Sequence, residues 1–348
     1  LRTQEALHQL GAEVILSSDS DPNYAGYDLV HLFHLDRVWE NLRWVRQTQA
    51  RRLPCVLSPI YWPTQEYDRL GRRGLQGALS RNLGSMRYAG LRSYQHALLS
   101  TWHQKELSLL HPRVLRFEAC ARTILNGVHR VLPNSLSEQF QIEHHFESKT
   151  ASTVIPNATD LSTFRPQHEP CDRNANKVIS VGRIEPRKNQ LSLIRALSGT
   201  PIQLSIVGQP SRFGHRYARQ CYREAGPNVT FHTWQSPTSL ARHYREARVH
   251  ACTSWYETPG LASLEAASSG CHIVATDRGA TREYFGDHVD YCSPENLDSI
   301  RSAVEKALVR ESSFELRDTI TQSMTWARAG EKTLEAYQSV VDSTPSQP

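Results

Sequence analysis

Short apolar segments alternate with segments of helical spacing along most of this chain, and this alternation limits its fold more than any other feature. In the second half, the apolar segments are residues 178–181, 203–207, 229–232, 249–254 and 272–276. Stretches with helical periodicity, such as 190–197 and 237–247, separate them. Neighbouring parallel strands need long crossover connections, which are usually helices. The pattern therefore predicts an α/β fold with a parallel sheet.

The first half repeats this alternation and predicts a second α/β domain. Its predicted strands are residues 12–16, 28–33, 53–58, 130–135 and 153–156, with a helix at 38–51. The polar, proline-bearing stretch 166–176 is typical of a linker. We therefore predict two Rossmann-like parallel-sheet domains facing a cleft. They are an amino-terminal domain, 1–166, completed by a final helix at 326–341, and a carboxy-terminal domain, 177–325. A doubly wound domain normally starts with a strand, but residues 1–10 have helical spacing, so we expect its first strand and glycine loop to be missing.

Composition narrows the class of protein further. The chain has 348 residues, enough for two domains with cores of their own. No apolar run approaches the length of a membrane span. The seven cysteines are scattered and form no C-x-x-C pair, which favours reduced thiols over a disulfide framework or a zinc site. We therefore expect a cytoplasmic protein without a bound metal.

The net charge of +5 is unevenly distributed, and the window from Arg69 to Arg122 holds ten basic and only two acidic residues. The basic residues are Arg69, Arg72, Arg73, Arg81, Arg87, Arg92, Lys105, Arg113, Arg116 and Arg122. Leucine and aromatic residues lie between them. One interpretation is a surface for an anionic partner, either the inner face of a membrane or a phosphate-bearing acceptor. The alternative is an ordinary helical segment with a solvated face. No motif for nucleic acid accompanies the charge.

Two glutamates flank a predicted helix start in the second half. Pro259 and Gly260 interrupt the backbone, so Glu257 should lie in a loop, while Glu265 should lie about one turn inside the helix that follows. The free amides near Gly260 and Leu261 would attract phosphate. A phosphate site beside two carboxylates that can bind hydroxyls suits a nucleotide sugar. The alternative is a pair of solvated glutamates.

A basic loop follows the first strand of the second half. Gly182 lets the backbone turn close to a ligand, Arg183 offers a planar donor fork, and Lys188 offers a mobile point charge. Together they suit a diphosphate, although a solvated basic loop is the alternative. Trp234 follows the strand at 229–232, and either borders a nucleobase or packs in the core.

These segments together resemble a known family. Residues 182–188, 257–265 and 279–283, the segment 157–160 and Trp326 are similar to motifs of the retaining family 4 (group 1) glycosyltransferases of GT-B fold. The resemblance implies that Arg183 and Lys188 bind the donor diphosphate and stabilise the leaving group. Glu257 would contact the donor sugar and Glu265 the ribose hydroxyls, with amides from Gly260 and Leu261. No cofactor is implied beyond the co-substrate, a UDP- or GDP-linked sugar.

The implied activity is sugar transfer, with retention, to a hydroxyl of a glycan or lipid-linked acceptor in glycan, polysaccharide or glycolipid biosynthesis. The histidine that many members carry in the first domain is absent from residues 57–62. His31 or His34 could replace it, or could be structural. Two alternative functions remain: a nucleotide-sugar 2-epimerase of the same fold, and a non-catalytic nucleotide-sugar binding protein.

Overall fold

The computed structural model describes residues 2–72, 74–104, 116–165, 174–311 and 315–344, without the side chains of residues 96–104. The chain folds into two compact units. The first contains residues 2–69, 74–156 and 327–344, and the second contains residues 70–72 and 157–326. The chain thus passes between the units at Pro156, before the boundary predicted at 166. Most of the predicted linker, residues 166–173, lies outside the described residues.

The first unit is built on a parallel three-stranded sheet of order β1-β2-β3. The strands are β1 (Val30–Phe33), β2 (Cys55–Ser58) and β3 (Arg130–Val131). The helices are α1 (Arg2–Gln9), α2 (Val38–Ala50), α3 (Gly74–Leu83), α4 (Ser85–Gln104), α5 (Phe117–Gly127) and α6 (Leu136–Phe146), with a π-helical turn at Tyr67–Gly71. The final helix α14 (Trp326–Ser343) packs Ala336 and Val340 against Val56 and Leu132 of this unit.

Two strand predictions for this unit are wrong. Residues 12–16 form no strand, and Ile15 and Leu16 are 59% and 55% exposed, so this apolar stretch lacks the ladder and the burial that stabilise a strand. Residues 153–156 only run beside β3. There, the Thr153 N–H donates to Val131 O at 3.0 Å and the Ile155 N–H donates to Pro133 O at 2.8 Å.

The second unit contains a parallel six-stranded sheet of order β6-β5-β4-β7-β8-β9. Its strands are β4 (Asn174–Val181), β5 (Gln203–Val207), β6 (Val229–His232), β7 (Ala247–Cys252), β8 (His272–Thr276) and β9 (Asp290–Cys292). The helices are α7 (Gln190–Ala196), α8 (His215–Glu224), α9 (Pro237–Glu246), α10 (Leu261–Ser268), α11 (Thr281–Phe285), α12 (Leu297–Val309) and α13 (Glu315–Ser323). The prediction of two parallel-sheet α/β domains is confirmed.

This strand order determines where a ligand can bind in the second unit. The chain runs from β4 outward through β5 and β6, then returns to the other side of β4 with β7. The loops that leave the carboxyl ends of β4 and β7 therefore diverge in opposite directions. Open α/β sheets bind ligands at such a switch point.

Within the described ranges, no helix combines the length and apolarity needed to cross a membrane.

Candidate functional site

The loops after β4 and β5 pass each other backbone to backbone. Gly182 and Gly208 have φ values of +146° and +152°, and a Cβ on Gly208 would lie 2.0 Å from the carbonyl oxygen of Gly182. The Ile184 N–H donates to the Gln209 carbonyl at 2.8 Å, which fixes the two loops together. Only glycine fits this approach, so the sequence places the β4 loop rigidly at the edge of the sheet.

The loops after β4 and β7 are joined across the switch point. The Trp255 N–H donates to the Arg187 carbonyl at 2.8 Å, and Arg187 Nη1 donates to the Tyr256 carbonyl at 3.0 Å. The Arg187 guanidinium also lies 5.1 Å from the centre of the Tyr256 ring. Arg187 is therefore a structural link between the loops that carry Lys188 and Glu257. Sequence reasoning assigned it no role, although its position next to Lys188 was the available signal.

An ion pair lies at the centre of this junction. Lys188 Nζ is 2.5 Å from Glu257 Oε1, and Arg187 Nη1 is 3.9 Å from the same oxygen. The side chains of Glu257 and Lys188 are only 8% and 20% exposed. Burial disfavours the charged carboxylate, but Lys188 and Arg187 outweigh it and lower the pKa of Glu257 to about 2. Glu257 is therefore a carboxylate at neutral pH and can only accept hydrogen bonds.

Two further side chains lie beneath this pair, and sequence reasoning missed both. Cys252 Sγ donates to Glu257 Oε1 at 3.5 Å. His250 is 1% exposed, and its Nδ1 lies 3.4 Å from Ser263 Oγ. Burial, together with the nearby Lys188 charge, lowers the pKa of His250 to about 3, so its ring is neutral. Because His250 is neutral, the positive charge in this region comes from Lys188 and Arg187.

The second predicted carboxylate lies on the helix that begins after Gly260. Gly260 has φ +69° and precedes α10, and Glu265 lies one turn inside it, as predicted. Tyr244, which is fully buried, donates its hydroxyl to Glu265 Oε2 at 3.2 Å. Burial raises the pKa of Glu265 to about 7. The charge of Asp160 also raises it, whereas the hydrogen bond from Tyr244 lowers it. Glu265 therefore changes its charge near neutral pH.

Three other predicted residues, Arg183, Leu261 and Trp234, are more exposed than the ion pair. The Arg183 side chain is 68% exposed, and its Nη2 lies 3.4 Å from Glu185 Oε1. Leu261 is 44% exposed in the first turn of α10. Trp234 is 67% exposed after β6, so the core alternative for this tryptophan is wrong. Of the predicted residues, Lys188 and Glu257 are in direct contact. Gly182 lies beside them, because a Cβ added to Gly182 would be 3.5 Å from Lys188 Cε.

His31 in the first unit is structural. Its Nδ1 lies 2.6 Å from the Tyr337 hydroxyl of α14, and its Nε2 lies 2.8 Å from Ser58 Oγ. Burial lowers the pKa of His31 to about 3, so the ring stays neutral. Both ring nitrogens are used in attaching α14 to β1 and β2. His34 is exposed after β1, with φ +66°.

We expect Gly279→Ala to disrupt the site. Gly279 has φ +90°, and a Cβ there would lie 1.9 Å from the Glu257 carbonyl oxygen, so the β7 loop must move. The expected cost is about 3 kcal/mol, in the range found for core overpacking plus backbone strain. Gly199→Ala is the control, because Gly199 has φ +72° with nothing within 4 Å of the new Cβ. Chemical denaturation should show the larger loss for Gly279→Ala. Equal losses would mean that strain alone, and not the Glu257 contact, sets the cost.

Comparison with known proteins finds a family that the second unit resembles. Residues 163–324, slightly under half of the chain, match the family model described as glycosyl transferases group 1. This segment is therefore similar to the group 1 glycosyl transferases, as the sequence motifs predicted. Curated relatives include the D-inositol 3-phosphate glycosyltransferase of Nocardia farcinica, 29% identical over 48% of this chain and 42% of that protein. The enzyme of the same name from Paenarthrobacter aurescens is 25% identical over 66% and 62%. The chain thus spans about half the length of these relatives.

Solved structures show the fold of both units. Sucrose-phosphate synthase from Thermosynechococcus elongatus has a TM-score of 0.68 at 19% identity, covering 92% of this chain and 75% of that chain. Anabaena Alr3699/HepE, solved with UDP and glucose, has a TM-score of 0.59 at 14% identity, covering 90% of this chain and 100% of that chain. Identities this low establish the fold alone, and they confirm the predicted GT-B class.

Proposed function

We propose that the chain is a retaining hexosyltransferase of the family 4 type, which moves a sugar from a nucleotide-diphosphate sugar to a hydroxyl acceptor. The observation that carries the proposal is the Lys188–Glu257 pair at the switch point between β4 and β7. The pair lies within the segment that matches the group 1 model. HepE was solved with UDP and with UDP-glucose, which supports a uridine donor here over a guanosine one.

The cationic side chains of the site suit the leaving group of the proposed reaction. Departure of a nucleoside diphosphate builds negative charge on the phosphate that loses the sugar. Lys188, Arg183 and Arg187 supply positive charge at that edge of the sheet. Preorganised donors of this kind are usually the largest single contribution to catalysis. Because phosphate is already a good leaving group, the reaction proposed here needs neither a separate general acid nor a metal.

The two carboxylates of the site suit the hydroxyl groups of the donor. Glu257 stays ionised, so it accepts hydrogen bonds from donor-sugar hydroxyls beside the diphosphate. Glu265 accepts from the ribose hydroxyls, while the amides at Gly260 and Leu261 face the phosphates. Exposed Trp234 lies after β6, on the same carboxyl edge of the sheet, where it can border the base.

A thermal-shift panel tests donor binding. Ligands that bind only the folded protein raise its melting temperature. We expect UDP and UDP-sugars to raise it more than GDP, ADP and their sugars, and Lys188→Ala to remove the shift. A panel in which no nucleotide raises the melting temperature would contradict the proposed site.

Product analysis separates the proposed reaction from its alternatives. With a donor that shifts the melting temperature, NMR of the reaction mixture should show a product with the donor's anomeric configuration. The acceptor panel should include phosphorylated polyols, because the names of the curated relatives give one. A changed donor sugar without any acceptor would indicate a 2-epimerase. Donor binding with neither transfer nor slow hydrolysis would indicate a non-catalytic binding protein.

We also propose a cytoplasmic enzyme that attaches to the inner face of a membrane through the Arg69–Arg122 window, where it meets a glycan or lipid-linked acceptor. In the described part of this window, Leu75 and Leu79 of α3 are 91% and 43% exposed, next to Arg81. Residues 73 and 105–115 lie outside the described residues.

Liposome flotation tests this attachment. We expect binding to vesicles with about 30% phosphatidylglycerol, weakened by salt because surface charges are screened. Leu75→Glu should reduce flotation severalfold. Leu136→Glu, at a 65% exposed position on α6, should leave it unchanged. Absence of flotation at low salt would refute the attachment.

A further inference from the structure

A cavity of about 950 Å³ lies in the first unit, at the edge of the sheet where β1 and β2 begin. The residues that line it include Asp21, Tyr24, Tyr27, Asp28, Arg51 and Arg52. The volume falls within the range that is usual for small-molecule sites. The switch-point site belongs to the second unit, so none of its residues lines this cavity.

One side chain of α2 organises the polar wall of the cavity. Gln47 accepts the Tyr24 hydroxyl on Oε1 at 2.8 Å, and its Nε2 donates to Asp21 Oδ1 at 2.9 Å. The same Nε2 lies 3.4 Å from the Ser20 carbonyl oxygen. These bonds fix the segment before β1 to a helix, so the ring of Tyr24 and the carboxylate of Asp21 are placed before any ligand arrives. Such preorganisation lowers the entropic cost of binding.

One of the two arginines of the cavity is also held in place. Arg51 lies over the Tyr24 ring with its guanidinium carbon 4.9 Å from the ring centre, and its Nη1 donates to the Gln47 carbonyl at 3.1 Å. Arg52 has φ +51°, a left-handed conformation that is uncommon for a residue with a Cβ. It occupies the turn that ends α2, where glycine is the usual residue. The chain therefore keeps an arginine among the lining residues where glycine would be less strained.

Electrostatics disfavours an anion in this cavity despite the two arginines. Asp21 and Asp28 balance Arg51 and Arg52, so the wall carries no net charge from these side chains. Two helices, α2 and α14, end at this edge, with Val341 and Thr344 of the α14 end in the wall. Helix carboxyl ends carry partial negative charge, which repels phosphate and favours groups that donate hydrogen bonds.

We propose that this cavity is a second binding site, which takes a neutral saccharide. A pyranose offers hydroxyls that both donate and accept, and these suit a lining that contains two aspartates and two arginines. Its C–H face packs on an aromatic ring, and Tyr27 is 37% exposed at the wall. The site would hold a neutral glycan on the first unit apart from the switch-point residues. It goes beyond the proposed transfer activity and does not depend on it.

Saturation-transfer NMR with maltotriose and cellotriose tests the proposal. At least one trisaccharide should receive saturation from the wild-type protein without any nucleotide present. Tyr27→Ala and Arg52→Gly should each reduce that signal about tenfold. Arg52→Gly should keep the fold, because glycine relieves the left-handed strain there. Arg46→Ala, at an exposed position of α2, and Tyr222→Ala, on an exposed tyrosine of α8, are the matched controls and should leave the signal unchanged.

The melting temperature of Tyr27→Ala without any ligand should be close to that of the wild type, which shows an intact fold and keeps this test separate from that of the donor site. Three results would overturn the proposal. They are the absence of saturation for both trisaccharides, an equal signal in the cavity variants, and phosphate binding that Arg52→Gly removes, since the last would indicate an anion site.

Discussion

Lys188→Ala should reduce donor turnover by on the order of a hundredfold or more, because it removes a preorganised cation from the leaving group. It also leaves the Glu257 carboxylate, 8% exposed, without the ammonium 2.5 Å away. Removing one member of a buried pair is strongly destabilising, so we expect a loss of about 3 kcal/mol in the free energy of unfolding. Arg187, at 3.9 Å, limits the loss. Steady-state kinetics and urea unfolding measure the two effects.

A double variant separates stability from catalysis. Lys188→Met combined with Glu257→Gln replaces both charges with neutral groups of similar size, so it should regain most of the stability and none of the activity. Arg195→Ala is the control, because Arg195 pairs with Glu224 at 2.7 Å on the more exposed faces of α7 and α8. It should cost about 1 kcal/mol or less and leave turnover intact. Near wild-type turnover in Lys188→Ala would refute the assignment.

Glu265→Gln should weaken donor binding while making the protein more stable at pH 8. Burial raises the pKa of Glu265 to about 7, above the value near 4.5 of an exposed glutamate. Between these values the folded state holds a proton that the unfolded state has released. The free energy of unfolding therefore falls as the pH rises from about 4.5 to 7, by on the order of 3 kcal/mol from this group. Glutamine does not titrate and removes that loss.

Donor binding should show the opposite dependence on pH. Ribose hydroxyls bind a carboxylate more strongly than a protonated acid, so wild-type affinity for a UDP-sugar should fall as the pH falls from 8 to 6. The diphosphate of a UDP-sugar carries no proton that titrates in this range. The affinity of Glu265→Gln should be about tenfold lower than that of the wild type at pH 8, and it should not change with pH.

Calorimetry at pH 6 and 8, with thermal unfolding at the same values, measures both effects. Glu246→Gln is the control, because the hydrogen bond from Lys177 lowers the pKa of Glu246 and the charge of this residue stabilises the fold at pH 8. That variant should lose stability at pH 8 and bind donor normally. A pH-independent affinity in the wild type would show that the Glu265 carboxylate does not hold the ribose.

The periodicity of the second half predicted its sheet closely. Strands 229–232 and 272–276 match β6 and β8 residue for residue, because buried parallel strands between helices leave a short apolar run with polar ends. The helix start at Gly260 was equally legible, since Pro-Gly interrupts the backbone wherever it occurs. The strand predicted at 12–16 failed because its apolar pattern has no neighbouring strand to pair with among the described residues. An apolar pattern therefore indicates that a segment can form a strand, but the segment forms one only where a neighbouring strand pairs with it.

By itself, the sequence determined the α/β class, the family resemblance and the segments that carry Lys188, Glu257 and Glu265. It could not show that Lys188 and Glu257, separated by 69 positions, share one hydrogen bond. Nor could it show that the two glutamates differ in pKa, with Glu257 lowered to about 2 and Glu265 raised to about 7. Spacing and residue type are properties of the chain, and they suffice for local structure. Burial and charge proximity depend on which loops the sheet order brings together, so the protonation state of each carboxylate was decided only by the tertiary structure.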